Sequence, residues 1–214
     1  MSETLTLDEL LIAHAAGKLA EPVSLLVATH LTLSPDSRRR YERYEAVGGM
    51  MLEDSEPMPL HDGALAHALA RLEREPREPE HRRVVRQRGR WPAPLRHYLP
   101  DNIDQLRWRG YGGAFEVDLP VGNADYRTRL IRVRGGKAVP QHTHEGSELT
   151  LVLEGAFRDE SGRYARGDVE IADDSVDHQP VAEDGVDCIC LAVTDAPLRL
   201  TGPFGRLLNP FIRI

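Results

Sequence analysis

The stretch Gly136–Gly155, which reads GKAVPQHTHEGSELTLVLEG, is the part of the sequence that decides the fold. It follows the spacing G, five residues, H-x-H, three residues, E, six residues, G, with the motif residues Gly136, His142, His144, Glu148 and Gly155. Short apolar runs bounded by glycine predict β-strands. Side chains alternate between faces along a strand, so the two histidines are expected on one face, within reach of one ion.

The third candidate ligand in this stretch is Glu148, which keeps the same parity across the Gly146-Ser147 corner. It adds an anionic oxygen to the two neutral nitrogens of His142 and His144. Two imidazoles and a carboxylate suit a borderline divalent ion, and zinc, iron, manganese and nickel all stay open at this point.

The motif resembles the first motif of the cupin family, which has the same order of Gly, His, His, Glu and Gly. The second cupin motif opens with Gly and places a ligand His eleven residues later, the distance that separates Gly167 from His178. The Pro and Gly that the family has in between are Asp173 and Ser175 here, and its frequent later Asn is Ala182. The resemblance implies one metal ion inside a small antiparallel β-barrel, bound by His142, His144, Glu148 and His178.

Composition limits the class of protein. The chain has 214 residues, enough for one large domain or two small ones, and its net charge of −7 argues against direct DNA binding. No apolar run approaches the roughly 20 residues that span a bilayer, and the N-terminus lacks the order of a signal peptide, so a cytoplasmic protein is expected. Cys188 and Cys190 stand two apart in a strand-like run and are expected to be buried thiols.

Residues 1–75 are predicted to form a bundle of four short amphipathic helices. Thr6 and Glu9 suit a capping box at the start of the first helix, and Ser34 suits the N-cap of the third. The predicted helices cover Thr6 to Lys18, a segment from Glu21-Pro22 onward, Ser34 to Gly48-Gly49, and Ala64 to Glu75. In the fourth, Leu65, Ala68, Leu69 and Leu72 form one stripe. Because helices this short are unstable alone, they must pack on one another or on something else.

The residue composition and the hydrophobic pattern change after the helices. Residues 76–94 are rich in Arg, Glu and Pro and predict a polar linker. Residues 95–214 consist of short β-like runs such as RTRLIRV, ELTLVLEG, DVEIA and DCICLAV, which predict a single antiparallel β-barrel. Trp108, Tyr111 and Phe115 are expected to fill this barrel or its entrance. The predicted class is therefore α+β with two domains, an N-terminal helical bundle and a C-terminal cupin barrel, or double-stranded β-helix.

The segment around His30 resembles the zinc-binding anti-sigma domain, whose signature is His, three residues, Cys, two residues, Cys. Here the same spacing reads His30, Ser34 and Ser37. A serine hydroxyl stays protonated at neutral pH and is a poor zinc ligand. No zinc is therefore expected in the N-terminal domain.

Both halves together resemble the ChrR group of anti-sigma factors, on the segments AAGKL, VATHLTL, AVGG, ELTLVLEGAFRDE and DCICLA. In that group the helices bind an extracytoplasmic-function sigma factor, and the cupin half is required for release under singlet oxygen or related oxidants such as organic peroxide. The resemblance implies a sigma-factor partner for residues 1–75 and no membrane partner. It also implies one divalent ion in the cupin domain, with zinc as the first choice.

A cupin metalloenzyme, such as a metal-dependent dioxygenase, is the alternative function, because cupins with three His and one Glu include dioxygenases. No catalytic residue is assigned on either hypothesis. A small ligand in the cupin cavity is compatible with both. The helical N-terminal half favours the regulator, since a small cupin enzyme has no need of it.

Overall fold

The computed structural model describes residues 5–74, 89–111, 113–122 and 125–202. Its N-terminal α-helices are α1 (Leu7–Ala15), α2 (Glu21–Leu33), α3 (Pro35–Glu53) and α4 (Ala64–Arg74). Short 3-10 helices at Ala93–His97 and Ile103–Gln105 lead into the β part. Its first strands are β1 (Arg109–Tyr111), β2 (Ala114–Asp118), β3 (Arg127–Val133), β4 (His142–His144), β5 (Glu148–Glu154) and β6 (Ala156–Arg158). They are followed by β7 (Arg163–Ala165), β8 (Val169–Ala172), β9 (Asp177–His178), β10 (Val181–Ala182), β11 (Cys188–Thr194) and β12 (Leu198–Leu200).

The helix starts follow the capping chemistry of the sequence. The Thr6 hydroxyl accepts a hydrogen bond from the backbone N–H of Glu9, and the Glu9 carboxylate accepts one from the backbone N–H of Thr6, so the predicted capping box is confirmed. Ser34 caps α3 by accepting from the backbone N–H of Ser37 at 3.3 Å. The predicted end of α3 at Gly48-Gly49 is wrong, because the helix continues to Glu53. Glycine lowers helix propensity by about 1 kcal/mol but does not block the helix.

The strands form three antiparallel sheets. The largest has the order β1-β2-β3-β11-β5-β8, and the smaller ones have the orders β10-β6-β7 and β12-β4-β9. The four apolar runs singled out in the sequence correspond to β3, β5, β8 and β11. The α+β class, with helices first and an antiparallel β-sandwich second, is thereby confirmed.

Both faces of the central strands β5 and β11 are buried. Leu149, Leu151 and Leu153 of β5 pack in an outer core with Leu26 and Val27 of α2. On the other face of β5, Val152 belongs to an inner core that lies between the sheets. A strand that is covered on both faces needs apolar residues on both of them, which explains why Leu151, Val152 and Leu153 follow one another in β5.

The helices and the β-sandwich share this outer core. Leu10 and Leu11 of α1 join it, as does Trp91, whose indole N–H donates to the Pro100 carbonyl at 2.8 Å. Trp91 falls inside the segment predicted as a linker, yet only 1% of the Trp91 surface is exposed. Residues 75–88 of that segment lie outside the described residues. The domain boundaries 1–75, 76–94 and 95–214 stay a prediction.

The aromatic residues expected in the barrel separate into two groups. Phe115 lines the cavity of the β-sandwich. Trp108 was expected there too, but it packs against the outer core and donates its indole N–H to the Ile103 carbonyl at 3.1 Å. The Tyr111 side chain lies outside the described part of the structure.

Helix α4 differs from the other three because its apolar stripe is uncovered. Leu65 is 72% exposed, Leu69 51% and Leu72 70%. The sequence predicted that the helices pack on one another or on something else, and no residue of α4 is buried within the described part of the chain. Among the described residues, none of the helices has the length and hydrophobicity needed to cross a membrane.

Candidate metal centre

The three histidines of the candidate site meet through strand pairing. Strand β4 carries His142 and His144 on one face, both buried, with the less buried Thr143 between them. Its antiparallel partner β9 places His178 directly opposite His142. Glu148 begins β5, immediately after the Gly146-Ser147 corner. The structure therefore brings together all four residues that the two cupin-like motifs indicate.

Two glycines of the first motif have backbone conformations that other residues rarely adopt. Gly136 has φ of 71° and Gly155 has φ of 70°. A Cβ atom on Gly155 would also lie only 2.6 Å from the Asp187 carbonyl oxygen. Glycine is therefore required where the chain turns after β5, for steric as well as conformational reasons.

The imidazole nitrogens converge on one point. The His178 Nε2 atom lies 3.2 Å from His142 Nε2 and 3.3 Å from His144 Nε2. Glu148 Oε2 lies 3.8 Å from His144 Nε2. One donor atom from each of the four residues lies within 4.8 Å of all the others, and all four residues are buried.

These distances fit a bound ion. Two nitrogens about 2.0–2.1 Å from a tetrahedral zinc ion are about 3.3–3.4 Å apart, close to the separations found here. Three neutral nitrogens and one carboxylate oxygen are also a common donor set for divalent transition metals. The cluster is therefore compatible with a metal site, and metal binding by these four residues remains a prediction.

A pair of carboxylates orients His178 from behind. Its Nδ1 atom lies 2.8 Å from Asp159 Oδ2 and 3.1 Å from Glu170 Oε1. A proton on Nδ1 is donated to these oxygens, which leaves Nε2 facing the other two histidines. Burial lowers the pKa of His178, but the hydrogen bonds and charges of Glu170 and Asp159 outweigh it and raise the pKa to about 9. Burial also raises the pKa of Glu170 to about 7.

The other two histidines are held in the neutral form. Burial lowers the pKa of His142 to about 4 and also lowers that of His144. His142 Nδ1 donates to the Pro140 carbonyl at 2.8 Å, so its Nε2 carries a free lone pair toward the cluster. Neutral imidazole is the form that binds metal.

Arg129 orients the carboxylate. Its Nη2 donates to Glu148 Oε1 at 3.2 Å, and its Nη1 donates to Glu116 Oε2 at 3.1 Å. The second oxygen of Glu148 is left to face His144. The guanidinium is buried, so this ion pair is shielded from water and fixes the direction of the carboxylate.

The site opens into a cavity of about 530 Å3 inside the β-sandwich. His142, Glu148 and His178 are in its wall, together with Phe115 and Phe157. Pockets of about 300–1,000 Å3 typically hold small organic ligands. The sequence is compatible with a small ligand in the cupin domain, and the cavity is large enough for one.

Cys188 and Cys190 also line this cavity, from strand β11. They are free and buried, as expected, with their sulfur atoms 3.6 Å apart. Hydrogen bonding to Cys188 and burial raise the pKa of the Cys190 thiol well above its usual range. Cys190 is therefore a thiol, the less reactive form, at neutral pH.

In the helical part, His30, Ser34 and Ser37 stand at the spacing of the zinc signature and make other contacts. His30 is buried and its Nδ1 donates to the Gly167 carbonyl at 2.8 Å, which connects α2 to the β-sandwich. The Ser34 hydroxyl donates to the Ser37 hydroxyl at 3.1 Å. These residues make contacts that hold the helices in place without a metal, and the absence of zinc there stays a prediction.

Sequence reasoning missed three residues of the site: Asp159, Glu170 and Arg129. Each is charged and lies within a strand or directly after one. Glu170 is 4% exposed within β8, and Arg129 is 3% exposed within β3. A charged residue at an inward position of a β-strand is the signal that would have identified them.

Comparison with known proteins agrees with the fold. Residues 102–197 match the family described as the ChrR cupin-like domain. The chain is 49% identical over 208 residues to the anti-sigma-E factor ChrR of Cereibacter sphaeroides, covering 97% of this chain and 96% of ChrR. A chain in the crystal structure of Rhodobacter sphaeroides SigE in complex with the anti-sigma ChrR matches with a TM-score of 0.75 and 44% identity. That match covers 90% of this chain and 99% of the other. The chain therefore belongs to the ChrR family of anti-sigma factors, whose C-terminal part is a cupin-like domain.

Proposed function

We propose that this protein is an anti-sigma factor that binds and inhibits an extracytoplasmic-function sigma factor through residues 1–75. The related ChrR is an anti-sigma factor, and a chain similar to this one occurs in a complex with SigE. Action on a sigma factor places the protein in the cytoplasm, where RNA polymerase works, and requires no direct DNA contact. The second part of the proposal is that the cupin domain holds a metal ion needed for release in response to oxidative signals.

The observation that carries the binding proposal is an uncovered apolar surface on the second half of the helical part. We define it as the 47–72 surface, and each of its large apolar side chains is more than half exposed. They are Val47, Met50, Met51, Leu52, Met58, Leu60, Leu65, Leu69 and Leu72. Large exposed apolar patches are rare on monomeric proteins, and protein partners commonly cover them.

A helical partner fits this surface. Leu65, Leu69 and Leu72 are three and four residues apart along α4, so they project from one face of the helix. Methionines adapt to irregular partner surfaces. A stable complex buries about 1,600 Å2 in total, which an apolar surface on α4 and the end of α3 can help to supply.

The metal proposal rests on His142, His144, Glu148 and His178, with zinc as the first choice and iron, manganese or nickel as alternatives. The support comes from the nitrogen separations of 3.2 and 3.3 Å and from the carboxylates that fix the His178 ring. When bound, the ion supplies a Lewis-acidic centre at the wall of the cavity. The four residues would hold it in a buried site, where His142 and His144 are already neutral.

We propose that the ion makes the cupin domain responsive to singlet oxygen or organic peroxide. The cavity provides access for a small oxidant, and the outer core connects the sheet beside the site to α2. A change in the metal ligands can therefore reach the helices through direct packing. The helical part inhibits the sigma factor, and the cupin part sets when it is released.

The binding proposal is tested by introducing charge into the 47–72 surface. Leu69→Asp in the full-length protein should abolish co-purification with the cognate extracytoplasmic-function sigma factor and restore transcription from its promoters. His67→Asp places the same charge on the exposed opposite side of α4 and should leave binding intact. Equal binding by both variants would show that α4 is not part of the interface.

The metal and signalling proposals are tested by His142→Ala and Glu148→Ala. Both variants should lose the one equivalent of metal that we expect in the purified protein, retain inhibition, and lose the response to oxidant. A full equivalent of metal in both variants would place the ion elsewhere. Oxygen consumption by the wild-type protein with a small substrate would favour the dioxygenase alternative instead.

A further inference from the structure

The cavity beside the metal centre is polar at one end and apolar at the other. Arg129, Ile131 and Val133 line it from alternate positions of β3. Arg129 lies beside Glu148, whereas Val133 lies opposite Cys188 at the other end of the strand pair. Val139, Phe157 and Ala182 complete the apolar end. Such a cavity matches a ligand that has one polar head and an apolar chain.

Arg129 retains a free donor at the polar end. Its Nη atoms donate to Glu148 and Glu116, but its buried Nε has no acceptor among the described residues. The side chain is 97% buried, with 3% of its surface exposed. Buried N–H groups are nearly always paired in folded proteins. An acceptor on a bound ligand would satisfy the Arg129 Nε–H group.

The charges around the cavity favour an anionic head. Its wall contains the arginines Arg109 and Arg129 and the carboxylates Glu116, Glu148 and Glu170. With a divalent ion at the proposed metal centre, the charges of these five side chains and the ion sum to one net positive charge next to an apolar chamber. A carboxylate neutralises it, whereas an amine would add to it. Carboxylates also pair with guanidinium groups through strong charge-assisted hydrogen bonds.

We propose that this cavity binds a saturated monocarboxylic acid, with its carboxylate beside Arg129 and its chain along the apolar wall. The inference rests on the metal centre of the proposed function for its charge balance. Four residues separate Arg129 from Val133, which at about 3.3 Å per strand residue is about 13 Å. An extended chain advances about 1.2 Å per bond, so the cavity accommodates about ten carbons.

The head group is tested on the wild-type protein by calorimetry with decanoate, decanol and decyltrimethylammonium, after the zinc content of the same sample is measured. Decanoate should bind at least tenfold more tightly than either of the others. Equal affinities for decanoate and decanol would overturn the proposal, as would no decanoate binding at millimolar concentration.

The chain length is tested with hexanoate, octanoate, decanoate and tetradecanoate. Each added methylene should tighten binding about fourfold until the cavity is filled, with no gain beyond about ten carbons. Ala182→Leu fills the apolar end and should shift the optimum to a shorter chain. A series that keeps tightening to tetradecanoate would indicate binding on an open surface and contradict the proposal.

The role of Arg129 is tested by Arg129→Gln, with a thermal melt to establish that it folds. It should weaken decanoate binding at least tenfold and leave decanol binding unchanged. Arg132→Gln is the matched control, because Arg132 lies on the opposite face of β3 and pairs with Asp187. Equal weakening in both variants would exclude a head-group contact with Arg129.

The two proposals fail in distinguishable ways. A sample with a full equivalent of zinc and no affinity for decanoate would sink the ligand proposal and leave the metal centre intact. A sample without zinc that binds metal at none of the four residues would overturn the metal centre. In that case decanoate binding with the predicted head-group preference would show that Arg129 alone selects the carboxylate.

Discussion

At the scale of single residues, the candidate site is organised by charged groups that lie behind the ligands. His178 is fixed by Asp159 and Glu170, and Glu148 is fixed by Arg129. Such partners set the ring orientation of a histidine and the direction of a carboxylate before any ion arrives. We therefore expect the affinity of the proposed metal centre to depend on residues that are not among its four candidate ligands.

Glu170→Gln is predicted to weaken zinc binding about 10–100-fold, because the amide cannot stabilise the His178 ring as the carboxylate does. Competition with a chromophoric chelator measures the affinity. Glu183→Gln is the control, since Glu183 pairs with Arg163 on the surface and makes no contact with the cluster. Unchanged zinc affinity in Glu170→Gln would show that Asp159 alone orients the ring.

His30 is predicted to make the stability of the protein depend on pH. Burial lowers the pKa of His30 below its ordinary value of 6.5. Below that value the unfolded chain binds a proton that the folded chain resists, so stability is lost as the pH falls from about 6.5. Urea titrations at several pH values measure this loss. It should be smaller in His30→Asn, which does not titrate, and an identical pH profile in both proteins would contradict the prediction.

At the scale of elements, local signals decide where helices begin, and burial decides which of their faces are covered. The N-cap Ser34 and the capping box at Thr6 fix two helix starts through backbone hydrogen bonds within one turn. The stripe of α2 is covered by the sheet and the stripe of α4 is not. Both stripes have helical spacing, so periodicity alone does not distinguish them.

Ser34→Ala is predicted to destabilise the protein by about 1 kcal/mol, because it removes the acceptor for the Ser37 backbone N–H at the start of α3. Chemical denaturation gives the free energy of unfolding. Ser55→Ala, beyond the end of α3, serves as the control because Ser55 is exposed. A loss equal to that of the control would mean that the cap contributes nothing to stability.

At the scale of the whole molecule, one outer core joins helices and sheet. Leu26 of α2, Leu151 of β5 and Trp91 all belong to it and are almost fully buried. Interfaces between independent domains are usually more polar than this. The helices that we propose as the inhibitory unit are therefore supported by the domain that we propose as the sensor.

Leu26→Ala is predicted to cost about 2–5 kcal/mol, because it leaves a cavity where helix and sheet meet. The loss should appear as a single transition, seen together by circular dichroism and by the fluorescence of the two tryptophans, Trp91 and Trp108. Leu72→Ala is the control, since Leu72 is 70% exposed and the change should cost less than about 0.5 kcal/mol. Two separate transitions in the wild-type protein would show that the halves unfold independently.

The sequence by itself determined the class of the fold, the helix caps and the four candidate ligands. These depend on local rules: hydrophobic period, capping chemistry and the fixed spacing of a motif along a strand. His142 and His144 share a face because strands alternate, and no tertiary contact is needed to know it. The resemblance to the ChrR family also came from short segments of the sequence, such as VATHLTL and ELTLVLEGAFRDE.

Only the tertiary structure decided which residues surround those ligands and which surfaces are covered. Asp159, Glu170 and Arg129 reach the site through pairings between strands that are distant in sequence, and such pairings leave no local pattern. The burial of Trp91, the exposure of Leu69 and the contact of His30 with Gly167 likewise depend on how helices and sheet pack. Periodicity shows that a face is apolar, whereas three-dimensional packing determines what covers it.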